Sequence, residues 1–304
     1  METLETFTDS DGVEISYRTW LPEGAARSVV VVSHGASEHS GRYARFAGVL
    51  TDLGHAVYAV DHRGHGATAA ATGVGKAGPR GWDGIVDDLD QLIDVARERT
   101  GDLPVVLFGH SMGSFLAQIY TQRHGDRLAG LVLSGSAGAM EGIQDTVAML
   151  EAMVAQGAGD EPAPIFGPLN AGFEPARTPF DWLSRDDEEV DKYVADPLCG
   201  DDAPLTIAFV SDMMSQAAHA WDPANEARIP KDLPVLLITG EADPVSQGAV
   251  TVRQLEARYR EAGISDVTGL YYPDARHELL NETIRDQVHD DVAAWLDRVV
   301  SKAG

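Results

Sequence analysis

The chain has 304 residues, 44% of them hydrophobic and 23% charged, with a formal net charge of −25. That length and apolar content suit one large α/β domain with an insertion, or two small domains, able to bury a sizeable core. The acidic excess argues against nucleic acid and anionic membrane surfaces, which need a basic patch, and runs such as Asp87-Asp88 and Asp186-Asp187-Glu188-Glu189 read as solvated faces. One cysteine, Cys199, leaves no internal disulfide and fits a reducing compartment. The N-terminus has no basic n-region or apolar h-region, and no apolar run reaches the roughly 18 residues of a membrane span. A cytoplasmic protein without a signal peptide is expected.

In chain order, residues 3–20 read as a hairpin turning at Asp11-Gly12. Ser28 to Ser33 holds four consecutive valines, apolar on both faces as in a central parallel strand. A helix is expected over Arg42 to Leu53, and a short buried strand over Ala56 to Val60. A Gly/Ala-rich loop then leads to a helix from about Trp82 to Arg99. Val105 to Phe108 and Gly130 to Ser134 read as strands, with a helix between them that stops at Gly125. The rhythm resumes with a strand over Val235 to Thr239, a helix over Gly248 to Ala262, a strand over Val267 to Tyr272 and a helix over Glu282 to Val300. Apolar strands alternating with amphipathic helices imply an α/β fold: a parallel sheet covered on both faces.

Between Ala137 and Ile229 that rhythm breaks. Met140, Ile143, Val147, Leu150 and Val154 form a helical stripe, and Gly157 to Pro179 is a Gly/Pro-rich loop. Pro204 to Trp221 reads as a helix apolar on two sides. The expected organisation is a core of residues 1–136 and 230–304 with a helical cap, 137–229, over one edge of the sheet. Met140, Ile143, Phe209, Met213 and Met214 are the candidates for lining an apolar slot beneath it, with packing inside the cap as the alternative role for these thioethers.

The chemistry centres on Gly109-His110-Ser111-Met112-Gly113. A β-branched strand enters this G-x-S-x-G string and a helical pattern leaves it, the context in which the glycines allow a sharp turn and force the serine hydroxyl out at its tip. A serine hydroxyl needs a base and the base an orienting acid, following in the order Ser, acid, His. Of ten histidines only His277 and His289 come after Asp243, and His289 falls inside the last helix. His277, just past a strand end, is the candidate base. Glu241, Asp243 and Asp274 compete as the acid. Asp274 is too local and suits a turn, whereas Asp243 follows a strand end and is stiffened by Pro244, which favours it. The oxyanion donors expected by position are the backbone N–H of Met112 and that of Ala36 or Ser37.

Several other motifs carry no chemistry on this reading. His62 and His65 lack a third metal ligand at a suitable spacing and are expected to hold their loop. Gly73-Val74-Gly75-Lys76 lacks the spacing and context of a phosphate loop. Cys199 has no paired histidine in sight and is expected to be buried. No cofactor or metal is expected. A carboxylate nucleophile, as in haloalkane dehalogenases or epoxide hydrolases, is excluded by the serine at 111.

His34-Gly35-Ala36-Ser37-Glu38-His39-Ser40-Gly41-Arg42-Tyr43, Asp61-His62-Arg63-Gly64-His65-Gly66, the elbow string, Asp196-Pro197-Leu198 and the Asp243 and His277 loops together resemble the monoacylglycerol lipase and lysophospholipase group of α/β-hydrolases (the S33-type family). The resemblance runs from about residue 10 to the C-terminus, densest in the core and thin in the cap. It implies the α/β-hydrolase fold, a mostly parallel eight-stranded sheet with an inserted helical cap. It also implies Ser111, Asp243 and His277 as triad and Ala36 and Met112 as oxyanion donors. One departure is Ser37, where many members carry Gly. The function so implied is a serine carboxylic ester hydrolase working through an acyl-enzyme on a monoacylglycerol, a lysolipid or a similar small monoester. The rivals are the same triad on a thioester, amide or C–C bond, an acyltransferase, and a ligand sensor that keeps the fold without turnover.

Overall fold

Val29 to Val32, each with at most 1% of its surface exposed, form the middle of the sheet. The computed structural model describes residues 2–303; Met1 and Gly304, the ends of the expected core, lie outside the described residues. The strands are β1 (Glu2–Thr8), β2 (Glu14–Trp20), β3 (Ser28–Ser33), β4 (His55–Val60), β5 (Val105–His110), β6 (Gly130–Ser134), β7 (Val235–Gly240) and β8 (Val267–Tyr272). They form one eight-stranded sheet in the order β1-β2-β4-β3-β5-β6-β7-β8. The β1–β2 hairpin is antiparallel, as is its junction with β4, and every other pairing is parallel. The hairpin turns where expected: Asp9 Oδ1 accepts from the N–H groups of Asp11 and Val13, with Gly12 at φ +81°.

Side chains alternate across each strand, so two cores form. Val29 and Val31 face one, against α2 (Gly81–Thr100), α3 (Met112–His124) and α7 (Val250–Glu261); Val30 and Val32 face the other, against α1 (Ala44–Asp52) and α8 (Arg285–Ala303). The segment between β6 and β7 adds no strand to this sheet. It carries α4 (Ile143–Met153), α5 (Asp187–Ala195) and α6 (Ile207–Ala220), and a third small core of Phe180, Trp182, Leu183, Val190, Tyr193 and Cys199. No helix among the described residues is long and apolar enough to cross a membrane.

Two of the acid runs are only in part the solvated faces that their composition implies: Asp187 and Glu188 are exposed, but one acid of each run is buried. Asp186 caps α5 by accepting from Glu188 N–H, and Glu189 is buried, bonded to Arg45 and Lys192. The run conceals a helix start because Val190 and Tyr193 supply the apolar side only after the acids have passed. Asp88 is buried with Arg63, a guanidinium only 1% exposed that also binds Asp9 (2.7 Å) and Asp11 (2.9 Å). This cluster ties the hairpin turn to α2. Arg63→Met leaves buried carboxylates without a counter-charge and is expected to cost about 3–5 kcal/mol. Thermal unfolding should register it as a fall in Tm of roughly 10 °C; an unchanged Tm would contradict the role given to this arginine.

Candidate active site

β5 delivers the candidate nucleophile. Ser111 has φ +50° and ψ −121°, a conformation costing a non-glycine residue of order 1–3 kcal/mol, and it occupies the N-cap position of α3 without a side-chain capping bond. The turn closes because its neighbours are glycines. A Cβ at Gly113 would lie 2.1 Å from Ser33 O, and one at Gly109 would lie 2.5 Å from Gly113 O. Ser111 N–H donates to Ser134 O at 2.9 Å, fixing the elbow to the next strand. Met112 N–H heads α3, where the first donors have no intrahelical partner and the helix dipole favours negative charge.

Asp243 and His277 reach the same place from the far side of the sheet. Asp243, three residues past β7 and fully buried, has Oδ1 2.9 Å from Val245 N and 3.0 Å from His277 Nδ1. A carboxylate only accepts, so Nδ1 carries the proton and Nε2 keeps its lone pair. Burial pushes the His277 pKa down, but the charge and hydrogen bond of Asp243 outweigh it, and the net shift is upward. His110 packs 4.8 Å from the His277 ring, centre to centre, and burial holds its pKa at about 4, so it stays neutral beside the candidate base. The competing acids lie elsewhere. Glu241 is exposed and pairs with Arg253, and Asp274 is exposed at φ +59° in the turn after β8.

Ser111 and His277 line one narrow cavity, together with Gly35 and Ala36. Its apolar wall is Phe166, Trp182, Leu183 and Tyr193, all from the segment between β6 and β7. Trp182 lies 4.9 Å from the His277 ring, and His277 and Glu278 donate backbone N–H groups to Trp182 O and Leu183 O. None of Met140, Ile143, Phe209, Met213 and Met214 lines this cavity. Phe209 packs edge-on against His65 and Trp82, and Met213 is buried in the larger core, with Met140, Ile143 and Met214 packed against it. The two apolar sides of α6 are satisfied by α3 and α4, so the helix is sandwiched and does not overhang a slot. Sequence reasoning missed the aromatic wall because Phe166, Trp182 and Tyr193 are scattered through a loop and a charge-rich helix with no common period.

Ser37 sits at φ +52°, a left-handed position that favours glycine, and its side chain is buried outside the cavity lining. Its carbonyl accepts from Gly200 N–H (3.0 Å) and the Tyr193 hydroxyl (2.9 Å), pinning this loop to the intervening segment. His62 and His65 are buried. His62 Nε2 bonds Ser33 Oγ, and His62 N–H donates to His34 Nε2. Cys199 is buried too, and burial pushes its thiol pKa up. It does have a histidine nearby: donor atoms of His39, Asp196 and Cys199 lie within 4.8 Å of one another, and His39 Nε2 bonds Asp196 at 2.9 Å.

Residues 24–284 match the family model described as serine aminopeptidase, S33. The chain is also 31% identical to a monoacylglycerol lipase of Mycolicibacterium smegmatis, over 96% of its own length and 95% of the relative's. It belongs to this S33-type hydrolase family. A second relative, the Homo sapiens monoglyceride lipase, is 31% identical over 100% of this chain and 93% of its own. Among solved structures, a thermostable carboxyl esterase from Bacillus coagulans in complex with glycerol superposes with a TM-score of 0.91 at 28% identity, covering 98% of this chain and 99% of that one. The eight-stranded, mostly parallel sheet is the α/β-hydrolase fold of this family.

Proposed function

We propose that this member of the family, a carboxylic ester hydrolase, works through an acyl-enzyme on Ser111. The substrate class we infer is a monoacylglycerol, a lysolipid or a similar small monoester with an apolar acyl or aromatic part. The observation that carries the reading is a strained, partly exposed serine sharing one cavity with an imidazole whose far nitrogen is held by a buried carboxylate. The names of the relatives support the ester as the bond attacked, and the aromatic wall supports an apolar substituent beside it.

Ser111 Oγ attacks the ester carbonyl while His277 Nε2 takes its proton. The N–H groups of Ala36 and Met112 hold the oxyanion, and Asp243 stabilises the imidazolium. His277 then gives its proton to the leaving alcohol. A water activated by the same nitrogen releases the acid and returns Ser111. Residues 137–229 act as the cap, and its Phe166–Tyr193 part excludes water from the acyl-enzyme.

Steady-state assays on monoacylglycerols, lysolipids and p-nitrophenyl esters, with matched thioesters and amides, test this directly. Ester turnover with an initial burst of alcohol is expected. Turnover confined to thioesters or amides would overturn the substrate class, and no turnover at all would favour a ligand sensor. Because the base must be unprotonated and its pKa is raised, kcat/KM should fall on the acid side with a midpoint above the ordinary imidazole value of 6.5. A pH–rate profile with its acid limb clearly below that value would contradict the electrostatics given to His277.

A further inference from the structure

The reaction needs two loops in fixed register: the one after β3, which carries Ala36, and the one after β8, which carries His277. They share no hydrogen-bonded strand edge, because β5, β6 and β7 stand between β3 and β8. One guanidinium spans the gap. Arg42 Nη1 donates to Glu38 Oε2 (2.7 Å) and Glu278 Oε1 (2.6 Å), and Nη2 donates to Glu278 Oε2 (2.7 Å). Glu38 passes the constraint to the first loop, its Oε1 accepting from Gly35 N–H at 2.6 Å and from the Tyr43 hydroxyl at 2.8 Å. Glu278 is the residue next to His277, and its own N–H is bonded to Leu183 O at 2.8 Å.

The environment makes this linkage stiff. The side chains of Arg42, Glu38 and Glu278 are 11%, 4% and 6% exposed, so water competes weakly for their hydrogen bonds. Burial opposes charge on Glu38, yet Arg42 and the neighbouring groups hold its pKa at about 2. The guanidinium carbon also lies 4.7 Å from the centre of the Tyr193 ring, whose hydroxyl holds Ser37 O. A buried charge cluster is a poor way to gain stability, since an apolar replacement of similar shape often does as well. Placing a bidentate fork between two catalytic loops is something apolar packing cannot do.

We propose that Arg42, through Glu38 and Glu278, is the positioning residue that sets the oxyanion-donor loop against the general-base loop. The proposal rests on the triad reading above. It assigns Arg42 no contact with the reacting atoms, only control of the distance between the groups that make them. A shift of about 1 Å between such groups is enough to cost about 100-fold in rate.

The test uses Arg42→Lys, which keeps the charge and loses the fork, and Glu278→Gln, which keeps the shape and loses the charge. Folding of both is checked by thermal unfolding. Each variant should lose about 10- to 100-fold in kcat with KM changed less than about threefold, and fluorophosphonate labelling of Ser111 should slow in parallel. Because both act through one contact, the double variant should lose little more than the worse single one. Arg42→Ala should regain rate when guanidinium ion is added. The place it vacates borders a second cleft lined also by Glu38, His110 and Glu278, open to solvent on one side. Unchanged kcat in folded variants, losses that multiply, or no rescue would overturn the clamp while leaving the triad standing. A wild-type chain that turns over esters without labelling at Ser111 would overturn the triad reading and the clamp with it.

Discussion

Ser111→Ala is expected to lower ester turnover by about 10⁶-fold while leaving Tm within about 2 °C of the wild type. On the proposed mechanism the rate effect is large because the hydroxyl is the atom that would be acylated, and the neighbouring groups would act only through it. Without it, the cavity can bind an ester and polarise its carbonyl, which leaves a residual acceleration of order 10³–10⁴ over water. The stability effect is small because the serine is held by its backbone. Ser111 N–H is bonded to Ser134 O, and the φ of +50° is imposed by packing of Gly109 and Gly113 against neighbouring backbone. Alanine can occupy that conformation at the same steric cost. Residual activity above about a thousandth of the wild type, measured on protein free of contaminating esterase, would remove Ser111 from the mechanism.

Asp243→Asn should lower kcat by about 10⁴-fold and move the acid limb of the pH profile. Asparagine fills the same buried volume, so the effect isolates charge. In the wild type, burial lowers the His277 pKa and Asp243, with smaller contributions from Glu278 and Glu38, more than reverses it; with the carboxylate neutral, burial is opposed only by those smaller contributions. The base is then available at lower pH, and the acid limb should shift in that direction although the rate is far smaller. The amide can also present its NH₂ to Nδ1, stabilising the tautomer that has no lone pair at Nε2. A loss below about tenfold with an unmoved acid limb would mean that another carboxylate orients the base.

The features that place these residues were local in the sequence. A β-branched run, two glycines around a serine and a following helical pattern suffice for the elbow, because each is a short-range steric demand. Asp243 and His277 were legible as residues just past apolar strands, and that register holds: β7 ends at Gly240 and β8 at Tyr272. What escaped depends on burial that composition hides. Asp88 reads as solvated charge, yet it is buried and paired with Arg63, and Arg42 is paired with Glu278, 236 residues further on. The Glu38–Arg42 spacing of four was a visible hint of an ion pair, but nothing in sequence joins it to Glu278. The methionines misled for a related reason. A helix apolar on two sides needs apolar neighbours, and for α6 those are other helices, while the cavity wall is built from Phe166, Trp182 and Tyr193.

The most direct measurement is covalent. The native chain is incubated with a fluorophosphonate, digested and mapped by mass spectrometry. One equivalent of label is expected on the peptide containing Ser111, with labelling abolished in His277→Ala, since the hydroxyl is unreactive without its base. Label on a different residue, or undiminished labelling in His277→Ala, would contradict the paired serine and imidazole on which the whole account rests.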